Sequence, residues 1–344
     1  MKTTLLSAVA LTVAVATLVA ACNKSNSTGS SSTSSGTTPV QVETQTDDET
    51  QVSNEMDASA NDVNNALNTQ SAVSGNSSTS YSSGIQTTGG PNGGPGVGPT
   101  GGPSGGSLDI DYSICDGTVT MDTVNGLRQV IITYNGNNCW GNRIRTGVVV
   151  ISIPVGVRWR DTGAVVTVDF ENLKITRVRD GKTITFNGTY TYTNVTGGLL
   201  VDLATRDSIT HTITADSVSI EFADSATRIW SVSKQRIFTY NDGVVITTTG
   251  THSDGTNTDV SVWGTNRYGN SFETLITQPK VIQQSCDYRL TSGQTETIRP
   301  AVTTTVTYGL DSNGDPTSCP GTGTYYYKVV WVINGKTYTW IAPY

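Results

Sequence analysis

Residues 182–194 read KTITFNGTYTYTN, and their two-residue period decides the fold class. Ile184, Phe186, Tyr190 and Tyr192 fall on one face of an extended chain; Thr183, Thr185, Asn187, Thr189 and Thr191 fall on the other. Such alternation marks a strand with one face in a core and one in water. The same period recurs in Tyr325, Tyr327, Val329, Trp331 and Ile333, and in Trp230, Val232, Phe238 and Tyr240. Turn residues punctuate these runs at Asn125-Gly126, Asp180-Gly181, Asn241-Asp242-Gly243 and Asn334-Gly335, where tight hairpins need positive φ.

Twice the alternation slips within one long strand. Val166, Val168 and Phe170 give way to Leu173 and Ile175, and Ile209 and Ile213 to Val218, Ile220 and Phe222. A one-residue slip turns every later side chain over, so β-bulges are expected near Glu171-Asn172 and Ala215–Ser217. Residues 108–344 are thus expected to form an all-β domain, a long antiparallel meander curling into a sandwich or open barrel.

Two segments share one plan of cysteine, hairpin ending in Thr-Tyr, loop, cysteine and strand. In the first, Cys115 leads to Thr133-Tyr134 and Cys139; in the second, Cys286 leads to Thr307-Tyr308 and Cys319. Turns at Val124–Gly126 and near Arg299-Pro300 bring each pair to the open end of its hairpin. Of three connectivities, this geometry selects Cys115–Cys139 and Cys286–Cys319. Closing loops of that size stabilises by roughly 3–4 kcal/mol in the chain-entropy model.

At the amino terminus, Lys2 precedes an apolar run, Leu5–Val19, too short for a stop-transfer helix. The run ends in Leu18-Val19-Ala20-Ala21-Cys22, which resembles a bacterial lipobox. The resemblance implies a signal peptide over 1–21 and acylation of Cys22, a membrane anchor in effect permanent when several chains are attached. The four remaining cysteines suit the oxidising side of a membrane. Asn23 lacks the aspartate that retains enteric lipoproteins at the inner membrane, which favours the outer membrane, on either face.

Residues 22–107 read as a disordered, low-complexity tether. Residues 23–40 are almost wholly Ser, Thr, Gly and Asn, and 84–107 are rich in Gly and Pro without a sustained triplet period. A tether of that length has a root-mean-square reach of roughly 50 Å. One island, residues 47–67, spaces Val52, Met56, Val63 and Leu67 as a short amphipathic helix, with Asp47, Asp48 and Glu49 suited to its N-terminus. That helix is expected to flicker in solution rather than dock. Residues 23–107 hold seven acids and one base, against 21 acids and 19 bases in 108–344. The acidity is therefore assigned to the tether, and the overall charge of −7 argues against nucleic acid as a partner.

Arg145-Thr146-Gly147, Trp159-Arg160-Asp161, Gly264-Thr265-Asn266-Arg267 and the Cys286, Cys319, Asn334-Gly335-Lys336-Thr337-Tyr338 series resemble the uncharacterised β-rich outer-membrane lipoproteins of Bacteroidota. That resemblance covers most of 110–342; it implies compartment and fold, and no catalytic residue. Asp122-Thr123-Val124, Asp207-Ser208-Ile209, Asp216-Ser217-Val218 and Asp224-Ser225-Ala226 are similar to O-glycosylation acceptor sites of such bacteria.

Motifs that carry chemistry are few. The chain has no G-x-S-x-G, no H-E-x-x-H and no phosphate-binding glycine loop, and its two histidines read as a strand packing residue (His211) and a turn residue (His252). Asp169 with Glu171, and Glu221 with Asp224, are carboxylate pairs of a kind common on solvated strands. Asp311, Asn313 and Asp315 alternate like calcium ligands but lack the glycine and glutamate of a calcium loop. Trp140 and Tyr268, each among Asn and Gly in a loop, are the candidate exposed aromatics for a glycan or protein ligand. No cofactor is expected. The expected role is a non-enzymatic structural or ligand-binding module. A polysaccharide hydrolase would need two acids converging in a cleft, and a lipid or lipopolysaccharide carrier would need an unfilled apolar concave face.

Overall fold

The computed structural model describes residues 38–75, 108, 110, 112–319 and 323–344. The signal segment 1–21, Cys22 and the stretches 23–37 and 76–107 lie outside the described residues. Fourteen antiparallel strands form one sheet: β1 (Gly117–Val124), β2 (Leu127–Asn137), β3 (Arg143–Pro154), β4 (Ala164–Arg177), β5 (Thr183–Asn194), β6 (Ile209–Phe222) and β7 (Thr227–Tyr240), followed by β8 (Val244–Gly250), β9 (Val260–Thr265), β10 (Ser271–Gln283), β11 (Arg289–Arg299), β12 (Val302–Leu310), β13 (Tyr326–Ile333) and β14 (Lys336–Pro343). They pair in chain order except at one place. There β8 and β9 lie end to end in a single lane, β8 on Lys234–Tyr240 of β7 and β9 on Trp230–Val232. Both then pair with β10. The edges, β1 and β14, do not pair with each other.

Both expected bulges are present. The β4–β5 register shifts between Phe170 and Leu173, and the β6–β7 register between Ala215 and Val218. Asn172 takes the bulge at φ 50°. Opposite it, β3 bends at Gly147 (φ 116°), where a Cβ would lie 2.3 Å from the Asn172 carbonyl oxygen, so only glycine fits. Asn125-Gly126 and Asn334-Gly335 form two-residue turns with both residues at positive φ. At Asp180-Gly181 only the glycine is so placed. Cys115–Cys139 and Cys286–Cys319 are both bonded, each with Cα atoms 5.1 Å apart.

The helical island departs most from expectation. A 31-residue helix, α1 (Pro39–Thr69), begins eight residues before Asp47. Its start is set by a capping box in which Thr38 and Gln41 bond reciprocally, with Pro39 in the first turn. Val52, Met56, Val63 and Leu67 are buried in the same core as Ile151, Val168, Phe186 and Trp230 of the sheet. So α1 is part of the β domain and not of a tether; the domain starts near residue 38, not at Leu108.

Nor is α1 amphipathic in the expected sense. Every residue from Gln45 to Val52 is buried. At 100° per residue, eight consecutive positions cover the whole circumference, so the sheet must curl around the helix. Beyond α1, a short turn of helix, α2 (Ser71–Ser74), is held by Arg128 and Arg158, which both donate to the Ala72 carbonyl oxygen at 2.7 Å. Those two cations sit where a helix C-terminus favours positive charge.

Candidate functional site

Six acids of α1 are buried, and each meets a cation of the sheet or of the turns that join its strands. Asp47, Asp48 and Glu49 point in three directions 100° apart and find three different partners. Asp47 accepts from Arg177 at 2.7 and 2.8 Å and from Lys182 at 2.5 Å. Asp48 accepts from Arg267 at 2.5 and 2.9 Å, and Glu49 from Arg299. One to four turns further on, Glu55 pairs with Arg143, Asp57 with Lys234 (3.0 Å) and Lys280, and Asp62 with Arg145 (2.6 Å), which also grips Asp116. Arg236 donates to Asn61. The acidity assigned to a solvated tether is instead the counter-charge of a cationic sheet interior. Burying so many ions is tolerable only because each has a partner.

The electrostatics follow. Burial raises the Asp47 and Asp57 carboxyls, but the surrounding cations (Arg177 and Lys182; Lys234, Lys280 and Arg236) outweigh it and hold both well below the usual carboxylate range. For Asp48 burial outweighs Arg267, and its pKa is pushed up to about 7. Glu49 is raised by burial as well, against Arg299. His211 packs edge-on to Trp159 at 4.8 Å; burial, with Arg236 adding, lowers its pKa to about 3.

These shifts predict an asymmetric pH dependence of stability. As pH falls below about 6.5, His211 favours the unfolded chain, which binds its proton more readily, while Asp48 favours the folded one. The two oppose each other down to about pH 4, and Glu49 acts with Asp48. Below that, Asp47 and Asp57 resist protonation only when folded, so their contribution is lost as pH falls. With two groups gaining against one, the melting temperature should hold or rise slightly between about pH 7 and 4 and drop steeply below 4. A steady decline starting near pH 6.5 in a calorimetric series would contradict this balance.

Where the curled sheet leaves α1 partly uncovered, a cleft of about 590 Å³ opens. Its floor is the stripe Asn54, Ala58 and Asn61, one helical face by spacing. The β2–β3 loop with Trp140 and the start of β11 with Arg289 also line it, together with Tyr325 and Tyr344. The Arg289 guanidinium stacks on Trp140 at 4.5 Å. The Cys115–Cys139 bond tethers the Trp140 loop, and Cys286–Cys319 lies beside Arg289, which donates to the Cys286 carbonyl oxygen.

Of the residues singled out from sequence, Trp140 lines this cleft and is 42% exposed, whereas Tyr268, 45% exposed, stands in the β9–β10 turn and does not line it. Asp311 spends its carboxylate on the backbone N–H groups of Asn313 (2.8 Å) and Asp315 (3.0 Å), forming a turn. Among the described residues no group of three or more His, Cys, Asp or Glu is arranged to hold a metal. Asp169 faces outward and accepts from Thr189, and Glu171 is exposed at the bulge. Thr123, Ser217 and Ser225 are exposed and Ser208 is half-buried. The concave face that a lipid carrier would need open is filled by α1 and its ion pairs.

The inward cations Arg145, Arg177, Lys234, Arg236, Lys280 and Arg299 escape a reading for apolar stripes. The signal was parity: Lys234 and Arg236 sit between Val232 and Phe238 on the inward face of β7. No protein-family model matches the chain, and no curated protein or solved structure is significantly similar to it.

Proposed function

We propose that the chain is a cell-envelope lipoprotein, acylated at Cys22 and held on the outer membrane, whose helix-filled sheet is a non-enzymatic binding module acting through the Trp140 cleft. The observation that carries the reading is the state of the cleft's charges. Glu55, Asp57 and Asp62 are all engaged by cations, so none is a free acid or base, while the aromatic lining offers contact area. Its volume falls in the range of small-ligand sites. The oxidising compartment agrees with both disulfides. Among the described residues no helix is long and apolar enough to cross a membrane, and the lipid on Cys22 would supply the attachment.

Sixteen residue steps separate Cys22 from Thr38 and span at most roughly 55 Å when fully extended. Detergent phase partition tests the anchor: the native protein should enter the detergent phase and Cys22→Ser should remain aqueous. Equal partition would contradict it. A thermal-shift screen over saccharides, peptides and lipids tests the module. It should find a ligand whose shift is lost in Trp140→Ala and kept in Tyr268→Ala; turnover of that ligand, or insensitivity to Trp140, would overturn the reading.

A further inference from the structure

Resting on that binding-module reading, we propose that the Trp140 cleft binds a neutral saccharide, with a sugar ring stacked on the indole. The first argument is charge. The buried ions of the lining already have counter-ions: Arg143 with Glu55, Arg145 with Asp62 and Asp116, and Lys234 and Lys280 with Asp57, while Arg289 donates to the Cys286 and Gly323 carbonyl oxygens and lies over the Trp140 ring. An ionic ligand would have to compete with buried pairs whose disruption is costly. A neutral one need not.

The second argument is shape and polarity. A pyranose ring has an apolar C–H face and an edge of hydroxyl groups that both donate and accept. Trp140 supplies the flat partner: Arg289 lies over one face of its ring, and the side chain is still 42% exposed. Asn54 and Asn142 place carboxamides in the lining, which can meet hydroxyls in either sense. Ala58, Ile282 and Leu290 are the aliphatic lining residues, set among aromatic and polar ones.

The third argument is unmet hydrogen bonding. Three of the four cleft tyrosines have bonded hydroxyls: Tyr112 donates to Asp62, Tyr288 to Gln284 and Tyr344 to the Leu290 carbonyl oxygen. Among the described residues the buried Tyr325 hydroxyl has no hydrogen-bond partner, and neither has the buried Oδ1 of Asn54. Buried groups left unpaired cost roughly 1–3 kcal/mol each; both belong to residues that line the cleft, where a water ordered by a polyhydroxyl ligand could reach them.

The test is titration calorimetry of the full mature chain against neutral gluco-, manno-, galacto-, xylo- and N-acetylglucosamine oligosaccharides, with hexuronate oligomers as the charged control. At least one neutral series should bind saturably. Trp140→Ala should weaken it about tenfold or more. Tyr325→Phe, which removes only the hydroxyl and spares the fold, should weaken it several-fold, and Tyr268→Ala should leave it unchanged. Absence of binding by every neutral series, or binding by hexuronates alone, would overturn the saccharide assignment. A Trp140-dependent ligand of another class in the thermal-shift screen would then show that the module survives it. Neutral binding indifferent to both Trp140→Ala and Tyr325→Phe would overturn the site and the module together.

Discussion

A chain that begins at Leu108 should fail to fold, although it contains every strand. Without α1, the inward cations Arg145, Arg177, Lys234, Arg236, Lys280 and Arg299 lose their partners on the helix. The main core also loses Val52, Met56, Val63, Leu67 and Val73. An uncompensated buried charge costs roughly 3–5 kcal/mol, and a domain's whole stability is about 5–15 kcal/mol. Three such losses would suffice. In calorimetry, residues 38–344 should melt cooperatively and residues 108–344 should show no cooperative transition. Comparable transitions for both would mean that α1 is dispensable.

Among single substitutions, Asp57→Ala should be the most damaging. This carboxylate holds two lysines, Lys234 at 3.0 Å and Lys280, both almost completely buried. Its removal leaves two like charges facing each other in the interior, a loss of at least about 3–5 kcal/mol in chemical denaturation. Replacing the whole group by Asp57→Leu, Lys234→Met and Lys280→Met should recover most of that loss, because well-packed apolar residues can replace a buried ion set without penalty. Asp122→Ala, on an exposed edge strand, should stay within about 0.5 kcal/mol of the native protein. If Asp57→Ala also stayed there, the pairs would be incidental to stability.

The sheet was legible because its signals are local. Alternation in 182–194, the parity slips at Asn172 and Ala215, the Asn-Gly turns and the two cysteine hairpins all act over a few residues, and each appears in the fold as expected. Local spacing also marked Val52, Met56, Val63 and Leu67 as one helical face. What it could not show was enclosure. A helix so polar reads as solvated, and the residues that bury it lie far away in sequence, 130 positions from Asp47 to Arg177 and 250 from Glu49 to Arg299. Asp47, Asp48 and Glu49 suit a helix N-terminus by type, but the Thr38–Gln41 capping box upstream sets the start of α1.

The cleft divides in the same way. Trp140 stood out because a tryptophan among Asn and Gly in a loop has no local core to enter. Tyr325 did not, since it falls on the inward parity of a strand where packing explains it. Its unpaired hydroxyl is visible only once its surroundings are assembled.

Hydrogen exchange of the α1 amides tests most directly whether a polar helix is held inside this sheet. Amides from Gln45 to Asn68 should exchange as slowly as those of β4–β6, with opening free energies near that of global unfolding, because no smaller opening exposes them. Exchange of the same amides within seconds, beside a protected sheet, would show α1 to be a solvent-exposed segment and contradict the enclosed helix.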